Sequence, residues 1–560
     1  MWANARCCQH GSESGATGSG ATVNRDAIRQ SPRGRSDESV GLPPTDVQSG
    51  FTALDWAIVG VYLLSMVGLG AWLSRRQTDT RAYFLSGGKI PAWAAAVSVV
   101  ATSVSAATFI GAPEQSYTGN LTYLAGVLSS VIAVIVVAVW FIPAFYREKV
   151  TTVYELLERR LGVKARRGCS GAFMLGRLLA SGARLYIAAI PVSLIAFGDL
   201  STGHLAASIA IAAVASILYT VLGGLDAVIW TEVPQALLFV FAAVAAIGIL
   251  LWHIPAGVSE IAGALARTTL PDATSKLTLF DTRFSLTSDF SVWSALIGLT
   301  LFNLAVYGTD HDLAQRMLTC KSAAKGSQSA LLSNALGLGV AALFLVIGLL
   351  LYVFYQRPDL MGDAAPGSAP EGRKVFLSFI LDHTPPGVRG LMLAGLFAAA
   401  MSSLASSMQA MASTLVCDFY RPLRPGRDEA HYLRVSRGAV VLWGVLLALF
   451  AVACIALQES SGKGLIPFAM EVMLYAYTGM LAVFVTAIFT RRGTGASAVA
   501  ALWAGAIATA AMQFAPILAK KWWHIDVIAL SLGWKMFIGT AIALAVCLSA
   551  RGAADRAYPR

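Results

Sequence analysis

Long apolar runs separated by short polar stretches dominate the chain from residue 52 onwards. Thirteen stand out, at 52–75, 90–113, 121–146, 170–198, 203–223, 229–252, 290–309, 329–356, 388–417, 437–457, 464–490, 495–515 and 530–549. Each approaches the roughly 20 apolar residues an α-helix needs to cross a hydrocarbon core. The pattern predicts an all-α membrane protein of about thirteen transmembrane helices. Two runs are poor lipid-facing helices. Residues 98–111 read Ser-Val-Val-Ala-Thr-Ser-Val-Ser-Ala-Ala-Thr-Phe-Ile-Gly, with Pro113, Glu114 and Gln115 just beyond. Residues 395–407 read Gly-Leu-Phe-Ala-Ala-Ala-Met-Ser-Ser-Leu-Ala-Ser-Ser. Small residues let membrane helices pack closely. Hydroxyls and freed carbonyls are also the oxygen ligands a hard cation prefers, and discontinuous helices bring them together at mid-membrane. Both readings stand at this point.

Composition agrees with a lipid environment: 56% of the 560 residues are hydrophobic and only 13% charged, against about 25% in soluble domains. The net charge of +11 points away from nucleic acid, because the basic residues sit in alternate short loops. Arg75, Arg76, Arg81 and Lys89, then Arg147 to Arg167, then Arg316, Lys321 and Lys325, then Arg421 to Arg437, then Arg491 and Arg492 all fall on one side. That side is expected to be cytoplasmic, with the N-terminus outside, the C-terminus inside and the chain a multi-pass protein of the plasma (inner) membrane. Two longer loops, 253–289 and 357–387, fall outside and suit short amphipathic segments or lids. Residues 1–50 are polar and Ser/Gly-rich, the composition of a disordered tail, and lack the apolar core of a secretory signal. Residues 51–550 form the transmembrane domain and 551–560 a short cytoplasmic tail. The seven Cys follow no metal-site or disulfide spacing, and the seven His are scattered. No catalytic constellation emerges, so an enzyme is not expected.

Four stretches carry a resemblance. They are Ala-Thr-Ser-Val-Ser-Ala-Ala-Thr-Phe-Ile-Gly at 101–111, Gly-Gly-Leu-Asp-Ala-Val-Ile-Trp-Thr-Glu-Val-Pro-Gln at 223–235, Tyr-Gly-Thr-Asp-His-Asp-Leu-Ala-Gln-Arg-Met-Leu at 307–318, and Ala-Ala-Ala-Met-Ser-Ser-Leu-Ala-Ser-Ser at 398–407 followed by Asp418-Phe419-Tyr420. In this order, the chain resembles the sodium:solute symporter family from about residue 52 to 515, a family that includes sodium/glucose, proline and sialic acid carriers. The resemblance implies two five-helix repeats of inverted topology, here about 90–252 and 290–490, each with a broken first helix. It also implies a sodium site built from the carbonyls of Ala101, Val104 and Ala399 and the hydroxyls of Ser402 and Ser403. A second cation in some members uses an Asp that maps to Glu232, with Ser402 and hydroxyls at 405 and 406. Position 405 is Ala here, leaving Ser406. Glu232 is thus a possible cation ligand or a membrane-edge carboxylate.

By the same resemblance the solute pocket lies between the broken helices and the fourth, ninth and eleventh spans. Ser103, Thr108 and Asn303 are expected to line it, and Tyr307 to gate it or simply to pack. Val127 lies near where sugar carriers place a Glu, which disfavours a sugar, since desolvated hydroxyls need partners. Arg184 and Glu471 fall deep in apolar spans, where a charge faces a cavity or a partner. Arg184 suits a substrate carboxylate. It and Glu471 could instead pair with each other, or an amino acid could bridge them. Arg177 is expected nearer the cytoplasmic interface. Asp310, Asp312, Gln315 and Arg316 are expected to form a structural network at the inner gate. The function expected is a sodium-coupled secondary active symporter importing a small organic solute, favoured as a carboxylate or amino acid. Its partners would be that solute, Na⁺ as coupling ion and the lipid bilayer, with no organic cofactor and no nucleic acid, and it would work as a monomer. The alternatives are a carrier-like solute sensor or a proton-coupled transporter of the same fold.

Overall fold

Helices follow one another along the chain with short connections. The computed structural model describes residues 51–73, 80–366, 369–372, 374–461 and 465–550. The tail expected at 1–50 and the terminal segment 551–560 lie outside the described residues. The principal helices are α1 (Ala53–Leu73), α2 (Ala92–Ser103), α3 (Ala106–Thr118), α4 (Tyr123–Arg147), α5 (Val163–Phe197), α6 (Thr202–His253) and α7 (Ser294–Gly308). They continue as α8 (His311–Leu318), α9 (Ala323–Gln356), α10 (Val388–Leu423), α11 (Glu429–Ser461), α12 (Leu465–Phe489), α13 (Gly495–Trp523) and α14 (Leu532–Ser549). Among the described residues no β-strand forms; a lone bridge joins Thr269 to Ser275.

Among the described residues ten helices are long and apolar enough to cross a membrane, or eleven when the bent pair α2 and α3 counts as one span. The count differs from thirteen chiefly because the runs expected at 203–223 and 229–252 join into α6, which has 52 residues. A straight helix of that length would measure about 78 Å, far more than the roughly 30 Å hydrocarbon core. The backbone breaks at Gly224, with φ 60° and ψ −169°, a conformation essentially reserved for glycine. The short α7 falls below the length of the other spans. Both longer loops, 253–289 and 357–387, carry a short helix, Val258–Arg267 and Val375–His383.

Burial sorts the helices into centre and rim. In α10, 89% of the apolar window is buried, against 22% in α13 and 28% in α1. A helix that is apolar on a face the protein does not cover has lipid as its solvent. The small residues of α10 let it lie against α6, α1, α5 and α11.

Two breaks interrupt this packing. Between α2 and α3 the axis bends by 63°, because Val104 (φ −86°, ψ 105°) and Ser105 (φ −110°, ψ 179°) are extended. Just before the break the Thr102 hydroxyl donates to the Ser98 carbonyl (2.9 Å) and the Ser103 hydroxyl to that of Val100 (3.1 Å). Hydroxyls that bond back to the preceding turn compete with the helical ladder. Between α7 and α8 the extended residue is Asp310 (φ −81°, ψ 117°), whose carboxylate caps α8 by accepting from the Asp312 N–H (2.9 Å).

Candidate functional site

Where α2 ends, its last carbonyls turn towards α10. The Ser402 hydroxyl donates to the Ala101 carbonyl (2.8 Å) and lies 3.2 Å from that of Ala399. The Ser403 hydroxyl reaches the Thr102 and Ala399 carbonyls at 3.2 and 3.1 Å. Beside them lies a void of about 20 Å³ lined by Ala101, Val104, Ala399 and Ser402. A void needs roughly 10–15 Å³ to hold one water-sized particle. Four of the five expected sodium-site residues thus line one void with space for a single particle, and the fifth, Ser403, does not line it but bonds the adjacent Thr102 and Ala399 carbonyls. Gln235, from α6, also lines the void.

The other side of the break opens on a larger space. A cavity of about 160 Å³ is lined by Ser103, Thr108, Asn303 and Tyr307 together with Arg177 and Arg184. A second lobe of about 140 Å³ shares Ser103, Thr108, Asn303 and Tyr307 with the first and adds Val127 and Asn334. The first turn of α3 contributes Ala107 and Thr108. A helix N-terminus carries partial positive charge. Arg184 makes no ion pair among the described residues; its Nη2 lies 4.0 Å from the Met473 sulfur. The amide nitrogen of Asn303 donates to the Ser129 hydroxyl (3.1 Å). No described acidic side chain lines either lobe.

Arg177 is 3% exposed, lines the cavity, and pairs with Asp310 (3.1 Å) and Asp312 (2.6 Å). Glu471 lines neither lobe and is held by Lys535 (3.0 Å) and Gln513 (3.3 Å) rather than by Arg184. Lys535 and Glu471 lie 64 residues apart in sequence, so no local spacing announces the pair.

Asp310, Asp312 and Arg316 form a buried ionic network. Arg316 bonds Asp312 (2.9 Å) and Glu232 (3.0 Å), and Tyr477 donates to Asp310. Glu232 also accepts from Ser98 and, at 3.3 Å, from Thr102. Both its oxygens are thus engaged with Arg316, Ser98 and Thr102. Ser406 instead lies 3.5 Å from Asp312, so Glu232 and Ser406 are not brought together as one ligand pair. Gln315 stands aside from the ion pairs and donates to the Phe84 carbonyl (2.7 Å). As ionised groups, Arg177 and Arg316 face Asp310, Asp312 and Glu232: two cations against three anions.

Several cavity residues had no signal of their own. Tyr123, Phe302, Met470 and Met473 are ordinary apolar positions in sequence and line the cavity only because α4, α7 and α12 converge there. Arg177 did carry one: it lies seven residues, about two turns, before Arg184, which puts both on one face of α5.

The family model described as "Sodium:solute symporter family" matches residues 83–505. The chain is 30% identical over 476 residues to the sodium/sialic acid symporter SiaT of Proteus mirabilis, covering 83% of this chain and 90% of that one. It is also 30% identical over 451 residues to the sodium/sialic acid symporter NanT of Aliivibrio fischeri, covering 80% and 85%. A solved structure of a Na⁺-coupled sialic acid symporter, substrate-bound and outward-open, superposes with a TM-score of 0.75 at 26% identity, covering 89% of this chain and 97% of that one.

Proposed function

The chain belongs to the sodium:solute symporter family, and from that premise we propose that it imports a small carboxylate-bearing organic solute together with one sodium ion. The observation that carries the reading is Arg184. Its guanidinium lies on a cavity inside the helical bundle, lacks an ion pair among the described residues, and shares that cavity with the first turn of α3. A guanidinium fork and a helix N-terminus both favour a carboxylate. Ser103, Thr108 and Asn303 supply neutral hydrogen bonds to the rest of the solute, and Tyr307 closes over it. A free ammonium meets no described acidic group in either lobe, which supports an acid over an amino acid. Sialic acid, named for the two relatives, is an acid of this kind.

Sodium binds the carbonyls of Ala101, Val104 and Ala399 and the hydroxyls of Ser402 and Ser403, bracing α2 against α10. Glu232 is spent on Arg316, so one ion is transported per cycle. Thirteen crossings result when α6 counts as two and the segments α2 with α3 and α7 with α8 count as one each. The repeats occupy about 90–252 and 290–490, and the protein sits in the inner membrane as a monomer. Coupling requires that sodium bind the outward-open, solute-competent state better than the inward one. A negative-inside potential adds roughly 2.3 kcal/mol per charge per 100 mV. Loss of sodium to the cytoplasm frees α2 and releases the solute.

Uptake into proteoliposomes tests the whole reading. Accumulation of a bound carboxylate such as sialic acid is expected under an inward Na⁺ gradient and absent when K⁺ replaces Na⁺. Equal accumulation in the two salts would remove sodium coupling.

A further inference from the structure

Gln235 is 1% exposed, in the second half of α6. Its amide nitrogen donates to the Tyr62 hydroxyl of α1 (3.1 Å). The Tyr62 hydroxyl can donate or accept; in this structure it faces the amide nitrogen. The other atom of the amide, Oε1, is buried and accepts no hydrogen bond from a described residue. A buried amide oxygen without a donor is an unfavourable arrangement that native structures rarely keep without a reason. This one belongs to a side chain that lines the 20 Å³ void beside Ala101, Val104, Ala399 and Ser402.

We propose that Gln235 Oε1 is a sixth oxygen ligand of the transported sodium ion, held in place by Tyr62. Hard cations gather about six oxygens, and the site already described supplies five: three carbonyls and two hydroxyls. The remaining wall of the void is apolar, with Phe239, Val240 and Val340, so no other side chain on that side offers an oxygen. The amide adds a strong dipole without formal charge, which leaves the ion free to depart. Tyr62 is a positioning residue. Through it α1, which lies outside the expected repeats, tunes the affinity of a site to which it contributes no ligand. The inference rests on the sodium site read above and adds a ligand from a helix that reading did not use.

The test needs no solute. Thermal stabilisation of the purified full chain in detergent is titrated with NaCl at constant total salt, balanced with choline chloride, and the half-saturating Na⁺ is read. Gln235→Leu is expected to raise it tenfold or more, while Gln235→Glu, which keeps an oxygen at that position, does not raise it. Tyr62→Phe is expected to raise it severalfold by unfixing the amide, and it serves alone if Gln235→Leu does not fold. Half-saturation within twofold of the native value in both Gln235→Leu and Tyr62→Phe would overturn the proposal and leave Oε1 with a water molecule. The paired variant Ser402→Ala, Ser403→Ala separates the two levels: an unchanged Na⁺ response there means that the whole site is misassigned, whatever Gln235 does.

Discussion

A guanidinium is tolerated inside a membrane protein when it faces a partner or a cavity, and the two arginines of α5 divide these roles. Arg177 is consumed by Asp310 and Asp312, whereas Arg184 makes no ion pair among the described residues and its Nη2 lies by the Met473 sulfur. Removing one member of a buried charge network strands its partners and costs about 3–5 kcal/mol. Arg177→Met is therefore expected to lower thermal stability in detergent sharply. Arg184→Met is expected to lose solute affinity by about tenfold to a hundredfold, from the 1.5–3 kcal/mol of a charged hydrogen bond, with little loss of stability. A scan showing the reverse order of melting temperatures would exchange the two roles. At the sodium site, Ser402→Ala with Ser403→Ala removes both hydroxyls and is expected to raise half-saturating Na⁺ in uptake at least tenfold. The family resemblance pointed to these hydroxyls through the motif at 398–407 and to the carbonyls through 101–111. Gln235 closes the motif at 223–235 but carried no role there.

At the level of elements, the break between α2 and α3 gives one helix two opposite ends in the middle of the bundle. The carbonyl end meets α10 and the N–H end meets the 160 Å³ cavity, so the proposed cation and anion sites would lie back to back. The outer end of α3 is tied down from above. Lys276, 1% exposed in the outer loop, donates to the carbonyls of Ser116 (3.2 Å) and Tyr117 (2.5 Å) and sits 4.0 Å over the Tyr352 ring. A cation at a helix C-terminus is favourable, yet burial pushes the Lys276 ammonium down from its ordinary 10.5 to about 8. The folded value lies below the unfolded one, so between about pH 8 and 10.5 the unfolded chain binds more protons. Stability from this group therefore rises with pH across that window. The difference in melting temperature between the native chain and Lys276→Met is expected to shift in that direction from pH 8 to 10. A difference that stays flat would mean Lys276 does not titrate there. The sequence places Lys276 in a polar outer loop and says nothing of its burial, because the carbonyls it covers belong to residues about 160 positions earlier.

For the whole molecule, orientation follows from the asymmetry of basic loops. The connection from Arg147 to Arg167 alone holds a dense basic cluster, and moving such residues across a bilayer is strongly disfavoured. A C-terminal epitope is expected to be detected only after permeabilisation of the inner membrane. Detection on intact spheroplasts would invert the topology. Beside the connection from Arg147 to Arg167, Asp418 is closed in by Arg166 (2.8 Å), Thr152 (2.7 Å) and Ser170 (2.5 Å), so α10 is fastened to α5.

The amino-acid sequence by itself determined that the chain lives in lipid, that it is helical, and that one helix fails within 98–111, because hydrophobic length and hydroxyl competition act within a few residues; the equally hydroxyl-rich 395–407 stays inside the continuous helix α10. It also carried the family, and with it the expectation of a sodium site at these oxygens. Only the tertiary structure decided which charges are consumed and which remain available. Arg177 against Arg184, Glu471 with Lys535, and Glu232 with Arg316 are choices between residues far apart in sequence. In an interior of low dielectric a difference of a few ångströms separates a neutralised charge from a binding one, and only the folded chain sets those distances.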